Sequence, residues 1–414
     1  MPETLAVRRL CDWPGERLRS LAEEYGTPLY VTDLDRVREN AGRLQEAFDA
    51  EAVSYAVKAN TTRAVLATLT ETGVGAECAS AGEVQRALDA GFPGGDVRYT
   101  AVNPPGRDLD HVVGLAGDHA LTVTVGAADT LDRLGERGYG GPLCVRVNPG
   151  VGAGHHEKVT TGAEPKFGVP LDRTADLAAE ARDRGFDVVG LHAHAGSGIH
   201  SEEGLAAHRD LVSRMGDLAQ EVIAEVTDLA FVNVGGGFGV PYRADEEPLD
   251  LAAVAAATRE SFGDVDATLG VEPGRYVVAD AGVLLTRVNT VKPTPETLVV
   301  GVDAGMTTLI RPALYNSYHE TRNLTPDAAG RETVQATVAG PICETADVLA
   351  RDRDLPRPER SDLLAIGNAG AYGYEMASQY NSRPRPAVVA LDGDDARLAV
   401  RREDVSDITR LERW

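Results

Sequence analysis

The lysine at position 58 stands where an amine can do covalent chemistry. Lys58 ends the apolar run of YAVKAN (55–60), and it is one of only four lysines in a chain with 41 basic residues. An amine that is partly desolvated at a strand end favours its neutral form and can attack a carbonyl. We therefore interpret Lys58 as a Schiff-base lysine. The alternative is a surface lysine whose aliphatic stem lies along apolar surface.

The segment GLHAHAGSGIH (190–200) ends a second apolar run with His192, His194 and Ser197. Histidines two residues apart on a strand point the same way, so zinc ligation is one interpretation. Neither an HExxH motif nor a third ligand at suitable spacing accompanies them, which argues against a metal. We favour a histidine that stacks on a flat cofactor and a serine that reaches the phosphate of that cofactor.

Two more segments carry residues that suit such a cofactor. NVGGGFG (233–239) offers the bare backbone of Gly235, Gly236 and Gly237 to a phosphate, although its spacing is not that of a dinucleotide fingerprint. A glycine turn can equally serve tight packing. VEPGRY (271–276) contains Glu272, which beside a pyridine nitrogen would keep that nitrogen protonated and make the ring an electron sink. The alternative for Glu272 and Arg275 is a surface ion pair.

The apolar runs that precede these residues predict how the chain positions them. From about residue 28 to 275, short β-branched runs alternate with amphipathic stretches such as GEVQRALDAG and AADTLDRLGERG, which is typical of a parallel sheet with crossover helices. We assign PLYVTD (28–33) to a lead-in segment. Eight further runs predict a (β/α)8 TIM-type barrel, in which active sites lie at the carboxyl ends of the strands: AVSYAVK, GAECAS, VRYTA, LTVTV, LCVRVN, VVGLHAH, FVNVGG and LGVEPG.

A second, mostly antiparallel β domain is predicted after residue 277. Its strands are expected in VLLTRVNTV, TLVVGVD, ETVQATVAG and PAVVALDGDDARLAVRRE, with Asp392-Gly393 as a tight hairpin turn. TLAVRRL (4–10) could add a strand to this sheet, and RDRDLPRPERSD (351–362) is expected to be a polar loop. The predicted boundaries are 33–277 for the barrel and 1–32 plus 278–414 for a β-sandwich or Greek-key-like barrel.

The net charge of −23 would repel nucleic acid and anionic membranes. No apolar stretch approaches the roughly 20 residues that span a bilayer, and MPETLAVRRL lacks the apolar core of a secretory signal, so we expect a cytoplasmic protein. Four scattered cysteines without a C-x-x-C pair argue against a zinc site and a disulfide framework. The acid-rich, lysine-poor composition suits either a halophile-like protein or a genome of biased base composition.

Taken together, the four segments around residues 58, 194, 236 and 272 resemble the fold-type III pyridoxal-phosphate decarboxylases, the superfamily of alanine racemase and ornithine decarboxylase. Three later segments are similar to the diaminopimelate decarboxylase branch of that superfamily: VDAGMTTLIRPALYNSYH (302–319), GPICETAD (340–347) and GNAGAYGYEMASQYNSRPRP (367–386). The similarity runs from about residue 25 to 386. Several ordered motifs make chance agreement improbable.

This resemblance implies a pyridoxal 5′-phosphate enzyme in which Lys58 holds the cofactor covalently, His194 stacks on its ring and Glu272 faces the pyridine nitrogen. Cys343 would donate a proton to the carbon that has lost its carboxylate. Glu83 and Arg146 match supporting positions, and Glu77 stands where ornithine decarboxylases carry an aspartate. The remaining cofactor contacts would come from Ser197, Gly235, Gly236, Gly237, Pro273, Gly274, Arg275 and Tyr372.

Charge matching at the far end of the substrate favours meso-2,6-diaminopimelate, which would yield L-lysine and carbon dioxide. That substrate ends in an ammonium, which suits Glu344, and in a carboxylate, which suits the forked donors of Arg311 and Arg275. Tyr315 and Tyr372 would complete the ring of donors. An arginine that faced the cationic end of ornithine would cost several kcal/mol, on the order of other like-charge contacts.

Other functions remain open from the sequence alone. They are another decarboxylase of the superfamily, acting on carboxynorspermidine, ornithine or arginine, an amino-acid racemase, and an inactive homologue that binds a partner. Intact Lys58, Cys343 and Glu272 argue against the inactive homologue. The resemblance also implies a head-to-tail homodimer in which each site takes Lys58 from one chain and Cys343 with Glu344 from the other.

Overall fold

The structure is a computed structural model that describes residues 6–48, 53–151, 153–154 and 166–413. Packing divides the chain into two compact units. The barrel unit comprises Asn40–Gly239 and Leu249–Tyr276, and the β unit comprises Met1–Glu39, Val240–Pro248 and Val277–Trp414. These units differ from the boundaries drawn on the sequence, 33–277 for the barrel and 1–32 plus 278–414 for the second domain, in segments 33–39 and 240–248 and at residue 277.

The helices carry the signals that the sequence showed. Helix α4 begins after Ser80, whose side chain accepts a hydrogen bond from the backbone N–H of Glu83, and it ends before Gly91, which has a φ of 109°. Among the described residues the helices are α1 (Gly15–Tyr25), α2 (Leu34–Phe48), α3 (Arg63–Thr70), α4 (Ala81–Ala90), α5 (Gly106–Ala116), α6 (Ala128–Gly135), α7 (Leu171–Asp183), α8 (Glu202–Glu225), α9 (Leu251–Phe262), α10 (Arg275–Val278), α11 (Arg311–Tyr315) and α12 (Val405–Thr409). None of these described helices is long and apolar enough to span a bilayer.

The strands of the described residues are numbered in their order along the chain. They are β1 (Leu29–Asp33), β2 (Ser54–Ala56), β3 (Gly75–Cys78), β4 (Val97–Tyr99), β5 (Thr122–Val125), β6 (Pro142–Asn148), β7 (Ala153–Gly154), β8 (Val169–Pro170), β9 (Asp187–His192), β10 (Gly196–Ser197), β11 (Phe231–Asn233), β12 (Thr268–Gly270), β13 (Gly282–Pro293), β14 (Leu298–Val302), β15 (Thr321–Asn323), β16 (Thr333–Ala339), β17 (Val348–Pro356), β18 (Leu363–Ile366), β19 (Ala387–Asp392) and β20 (Asp395–Val400).

The barrel unit contains all eight strands that the sequence assigned to a barrel. Their spatial order is β12-β11-β9-β6-β5-β4-β3-β2, and each pairs in parallel with its neighbours. A parallel bridge between Val53 and Val271 joins the first strand to the last. Because the strands are parallel, their carboxyl ends all open at one mouth. The prediction of a (β/α)8 barrel is confirmed.

The β unit is built on one mostly antiparallel sheet with two buried faces. Strand β1 pairs antiparallel with β13 and parallel with β19, so the PLYVTD run is a lead-in to this sheet, as predicted. Leu29 and Val31 pack in one apolar core, whereas Tyr30 packs in another. This alternation follows from the two-residue period of a strand. The predicted antiparallel domain is confirmed.

Three local expectations about the β unit were wrong or only partly testable. In TLAVRRL, residues 4 and 5 lie outside the described residues, and 6–10 form no strand, because the backbone N–H of Arg8 is tied to the carboxylate of Asp280 at 2.9 Å. The first part of RDRDLPRPERSD belongs to β17, which pairs with β16. In the hairpin, Asp392 pairs with Asp395, so the turn is Gly393-Asp394, one residue later than predicted, with a φ of 58° at Gly393.

Candidate active site

Lys58 lies at the mouth of the barrel beside a carboxylate. It follows β2 in a short 3-10 turn, Val57–Ala59, and its Nζ pairs with Oε2 of Glu77 in the adjacent strand β3. The Lys58 side chain is 39% exposed, whereas that of Glu77 is 4% exposed. The amine is therefore paired with a buried carboxylate, while part of the Lys58 side chain stays exposed to solvent. This placement suits an amine that must meet an incoming carbonyl.

Glu77 is itself held by a second contact. The hydroxyl of Thr100, which follows β4, donates to Oε1 of Glu77, while Oε2 faces Lys58. Both Glu77 and Thr100 are buried. The Glu77 carboxylate thus spans from Thr100 to Lys58. Thr100 was not predicted in this role.

Glu272 forms a buried pair with His192. Oε2 of Glu272 lies 2.8 Å from Nε2 of His192, and both side chains are almost inaccessible to solvent. Burial alone would raise the pKa of Glu272, but His192, Lys58 and Arg98 outweigh it and hold the pKa below its usual value. Oε1 of Glu272 is buried and has no hydrogen-bond partner among the described residues. Glu272 is therefore an ionised carboxylate with one oxygen that can accept a further hydrogen bond.

His192 and His194 play different parts in the structure. Nδ1 of His194 accepts a hydrogen bond from the backbone N–H of Gly236 at 3.1 Å. Burial, followed by electrostatic interactions with Lys58, Arg146 and His192, lowers the pKa of His194 to about 3. The His194 ring is therefore neutral, as a ring that stacks on a flat cofactor should be. His192, which the sequence offered as a metal ligand, instead supports Glu272.

The three glycines after β11 have no room for side chains. Gly235 and Gly237 have φ values of 79° and 103°. A Cβ at Gly235 would lie 2.6 Å from the carbonyl oxygen of Ala193, and one at Gly236 would lie 2.2 Å from that of Glu272. A Cβ at Gly237 would lie 2.7 Å from a backbone oxygen. These contacts fit a cradle in which backbone, and not side chains, faces a phosphate.

The other residues predicted for the barrel site lie in short elements or in the turn after β12. Ser197 lies in β10, and Arg275 begins α10. The carbonyl of Pro273 accepts from the N–H of Ala56 at 3.0 Å, and a Cβ at Gly274 would lie 3.1 Å from the Cβ of Ala56. These contacts join the segment after β12, which carries Glu272, to β2, which precedes Lys58.

Two supporting positions of the resemblance are explained by local structure. Oε2 of Glu83 accepts from the N–H of Ala79 at 2.7 Å, so Glu83 caps the start of α4 together with Ser80. Arg146 is buried in β6, where desolvation lowers its pKa, and its Nη1 donates to the carbonyl of Thr100 at 3.4 Å. Glu83 therefore acts on the helix, whereas Arg146 adds positive charge near Glu77 and Glu272.

In the β unit, Arg311 is buried at the start of α11. Its Nη2 donates to the Ser317 hydroxyl at 3.2 Å, and its guanidinium lies 5.8 Å from the ring centres of both Tyr242 and Tyr315. The structure thus brings together Arg311 and Tyr315, as expected, and adds Tyr242. Tyr372 has a left-handed φ of 55°. Nothing in the sequence marked Tyr242, which is separated from α11 by about 70 residues.

Cys343 and Glu344 lie side by side on an exposed loop of the β unit. Sγ of Cys343 lies 3.6 Å from Oδ1 of Asn381, and the Tyr380 hydroxyl donates to Oε1 of Glu344 at 2.5 Å. Tyr380 and Asn381 were not predicted as site residues. They lie in the ASQYNSRPRP segment that already contributed to the resemblance, and their position in that segment is the signal that could have found them.

The described residues contain no group of three or more His, Cys, Asp or Glu side chains that could hold a metal ion. All four cysteines are free: Cys11 and Cys343 are exposed, whereas Cys78 and Cys144 are buried. Burial raises the pKa of the Cys144 thiol to about 12, so it stays protonated and inert.

The fold and the barrel site define a class, and comparison with known proteins agrees. A family model described as pyridoxal-dependent decarboxylase, pyridoxal binding domain, matches residues 34–279. A diaminopimelate decarboxylase of Methanothermobacter thermautotrophicus is 43% identical over 404 residues, which cover 94% of this chain and 92% of that protein. One from Deinococcus radiodurans is 39% identical, with 95% and 98% covered. The chain belongs to the diaminopimelate decarboxylase family of pyridoxal-dependent decarboxylases.

Solved structures support the same family. The crystal structure of diaminopimelate decarboxylase from Helicobacter pylori complexed with L-lysine is similar to this chain with a TM-score of 0.88 and 33% identity, over 95% of this chain and 98% of that chain.

The residues of the barrel unit fit pyridoxal 5′-phosphate. Lys58 offers an amine, and the buried, unpartnered Oε1 of Glu272 offers an acceptor for a protonated ring nitrogen. His194 offers a neutral ring, and the glycines at 235–237 offer a backbone cradle that a Cβ would fill. The predicted cofactor is therefore confirmed by the family and suits the site.

Proposed function

We propose that this chain decarboxylates meso-2,6-diaminopimelate to L-lysine and carbon dioxide, the last step of lysine biosynthesis. The single observation that carries the proposal is Glu272, an ionised carboxylate with one buried oxygen free to hold a ring nitrogen in its protonated form. The relatives that share the family are diaminopimelate decarboxylases, and the Helicobacter pylori structure contains lysine, the product of that reaction.

The barrel residues would hold and tune the cofactor. Pyridoxal phosphate, when bound, supplies an electron sink for the charge that a departing carboxylate leaves behind. Lys58 provides the amine that attaches the aldehyde, and Glu77 keeps that amine in place. Glu272 would keep the ring nitrogen protonated because its own pKa is held low. His194 would pack a neutral ring against the cofactor, since a charged ring would oppose the nearby Lys58.

The β unit residues would select the substrate. Arg311 is buried with its guanidinium near two tyrosine rings, so it can offer a forked pair of donors to a carboxylate. Glu344 would bind the distal ammonium, and Arg275, Tyr315 and Tyr372 would complete the contacts. Cys343 would donate a proton to the carbon that loses its carboxylate.

We further infer a head-to-tail homodimer. In this arrangement the barrel of one copy supplies Lys58, and the β unit of the other copy supplies Cys343 and Glu344. The family resemblance supports this arrangement, and so does the placement of the three residues in two different compact units.

Product analysis tests the function directly. Purified protein loaded with pyridoxal phosphate should release lysine and carbon dioxide from meso-diaminopimelate, and should turn over ornithine, arginine and carboxynorspermidine far more slowly. Borohydride reduction followed by peptide mapping should label Lys58, and Lys58→Ala should abolish both the label and turnover. Lys292→Ala, which changes an exposed lysine of the β unit, is the matched control. Faster turnover of ornithine, or a label that persists in Lys58→Ala, would contradict the proposal.

A further inference from the structure

Two adjacent residues of one loop hold two adjacent residues of another in the β unit. The Tyr380 hydroxyl donates to Oε1 of Glu344 at 2.5 Å. The neighbouring Cys343 donates through Sγ to Oδ1 of Asn381 at 3.6 Å, within the range for a sulfur hydrogen bond. The two contacts run in opposite order along the two segments, so each segment fixes the other at two points.

Hydrogen bonds to Asp347 fix the backbone of the loop that carries Cys343 and Glu344, but burial does not hold the side chains of these two residues. The buried Asp347 accepts from the N–H groups of Met306 and Ile342, both at 2.6 Å. A Cβ at Gly340 would lie 2.4 Å from an Asp347 oxygen, so the loop closes tightly on this carboxylate. Cys343, by contrast, is exposed. Polar contacts must therefore orient the two side chains at the tip of the loop.

The opposing segment adopts a backbone that suits this task. Asn381 and Ser382 have φ values of 59° and 51°, a left-handed conformation that asparagine tolerates better than most residues. Tyr380 is 48% exposed, so burial does not hold its ring. The hydrogen bond to Glu344 and the charge of that residue raise the pKa of Tyr380, which keeps the phenol protonated as a donor.

We propose that Tyr380 and Asn381 are positioning residues that orient Glu344 and Cys343. This inference rests on the proposed function, in which Glu344 binds the distal ammonium of the substrate and Cys343 donates a proton. Tyr380 occupies one oxygen of Glu344 and so directs the other toward the ammonium. Asn381 accepts the thiol hydrogen and so fixes the position of the sulfur until the S–H bond breaks and the new C–H bond forms. The thiolate left behind then regains a proton from water.

The first test replaces Asn381 with glycine. Asn381→Gly removes the acceptor and keeps the left-handed backbone, which glycine adopts at no cost, so the fold should persist. Ser382→Gly makes the same kind of change at the next residue and is the matched control. Iodoacetamide alkylation of Cys343 is measured by mass spectrometry, with Cys11, the other exposed thiol, as an internal reference.

Asn381→Gly should raise the rate of Cys343 alkylation relative to Cys11 by about threefold or more near neutral pH, because the acceptor that holds the thiol hydrogen is removed and only the thiolate reacts. The difference should vanish at a pH where both thiols are fully ionised, which a merely steric effect would not do. Ser382→Gly should leave the ratio unchanged. Equal ratios in Asn381→Gly and Ser382→Gly, or a difference that persists at high pH, would overturn the role of Asn381.

The second test replaces Tyr380 with phenylalanine and uses Tyr25→Phe as control, since the Tyr25 hydroxyl also lies beside a glutamate, Glu24. Tyr380→Phe should raise the KM for meso-diaminopimelate about tenfold while kcat stays within about twofold, because the lost bond orients a binding group. Tyr25→Phe should change neither constant. A fall in kcat with an unchanged KM would overturn the role of Tyr380.

Failure of the proposed function is distinguishable from failure of this inference. If the wild type does not decarboxylate diaminopimelate, the proposed function is wrong. The alkylation ratio still decides whether Asn381 holds the Cys343 thiol, because it needs no substrate.

Discussion

Thr100→Val should destabilise the protein because it removes a buried hydroxyl. The substitution keeps the shape of the side chain and removes the hydroxyl that donates to Oε1 of Glu77. Thr100 is 2% exposed and Glu77 is 3% exposed, so water cannot replace the lost donor. A hydrogen bond to a charged group contributes about 1.5–3 kcal/mol, and a buried acceptor left unsatisfied costs a similar amount. We expect the free energy of unfolding to fall by about 2 kcal/mol.

Urea unfolding of the protein without cofactor measures this change, with Thr122→Val as the matched control. Thr122 is a buried threonine of the neighbouring strand β5, and its hydroxyl makes no hydrogen bond to another described residue. That control should change the free energy of unfolding by about 0.5 kcal/mol or less, the range of substitutions that break no specific feature. If the two variants unfold at the same urea concentration, Thr100 does not hold Glu77 and the chain of contacts to Lys58 is wrong.

Four further predictions follow from charge and assembly. Arg311→Ala should raise the KM for diaminopimelate at least about tenfold in steady-state assays while cofactor absorbance is unchanged, since it removes a carboxylate contact; an unchanged KM would refute that role. Burial lowers the pKa of His208 to about 4, so the unfolded chain binds a proton below about pH 6.5 that the folded chain does not, and stability falls as pH drops from there toward the folded pKa. When the pH falls from about 6.5 to 5, the free energy of unfolding of His208→Gln should therefore drop by roughly 1.5 kcal/mol less than that of the wild type in urea titrations. An equal drop in the two proteins would contradict this. Equal mixtures of Lys58→Ala and Cys343→Ala chains should regain about a quarter of wild-type activity after exchange, as half the dimers hold one intact site of two; no recovery despite proven exchange would exclude shared sites. The melting temperature should rise between about 0.1 and 1 M salt because screening relieves the repulsion of a net charge of −23, and a flat or falling value would reject the halophile-like interpretation.

The barrel could be predicted because its signal is local. Each of its strands is a short run of β-branched and apolar residues, and a strand of a parallel sheet is buried on both faces wherever it lies. Strand β17 was missed for the opposite reason. Its central residues, RDRD (351–354), are all charged and mostly exposed, so backbone pairing with β16 and not side-chain pattern makes this stretch a strand.

The reactive and cofactor-binding residues of the barrel site could also be predicted from the sequence. Lys58, Glu272 and the glycines at 235–237 stand at the ends of apolar runs, where few structural roles suit those residue types. Their partners could not be named. Glu272 pairs with His192, 80 residues away, and Glu77 with Thr100, 23 residues away.

Residue type and local periodicity were enough to predict the succession of strands along the chain, the family and the reacting groups. Which groups meet depends on the folded chain. A pair such as His192 and Glu272, or Tyr380 and Glu344, depends on the register of neighbouring strands and on the backbone of loops that are distant in sequence. Burial and charge at those meeting points then set the ionisation of each group, and no single segment of sequence contains that information.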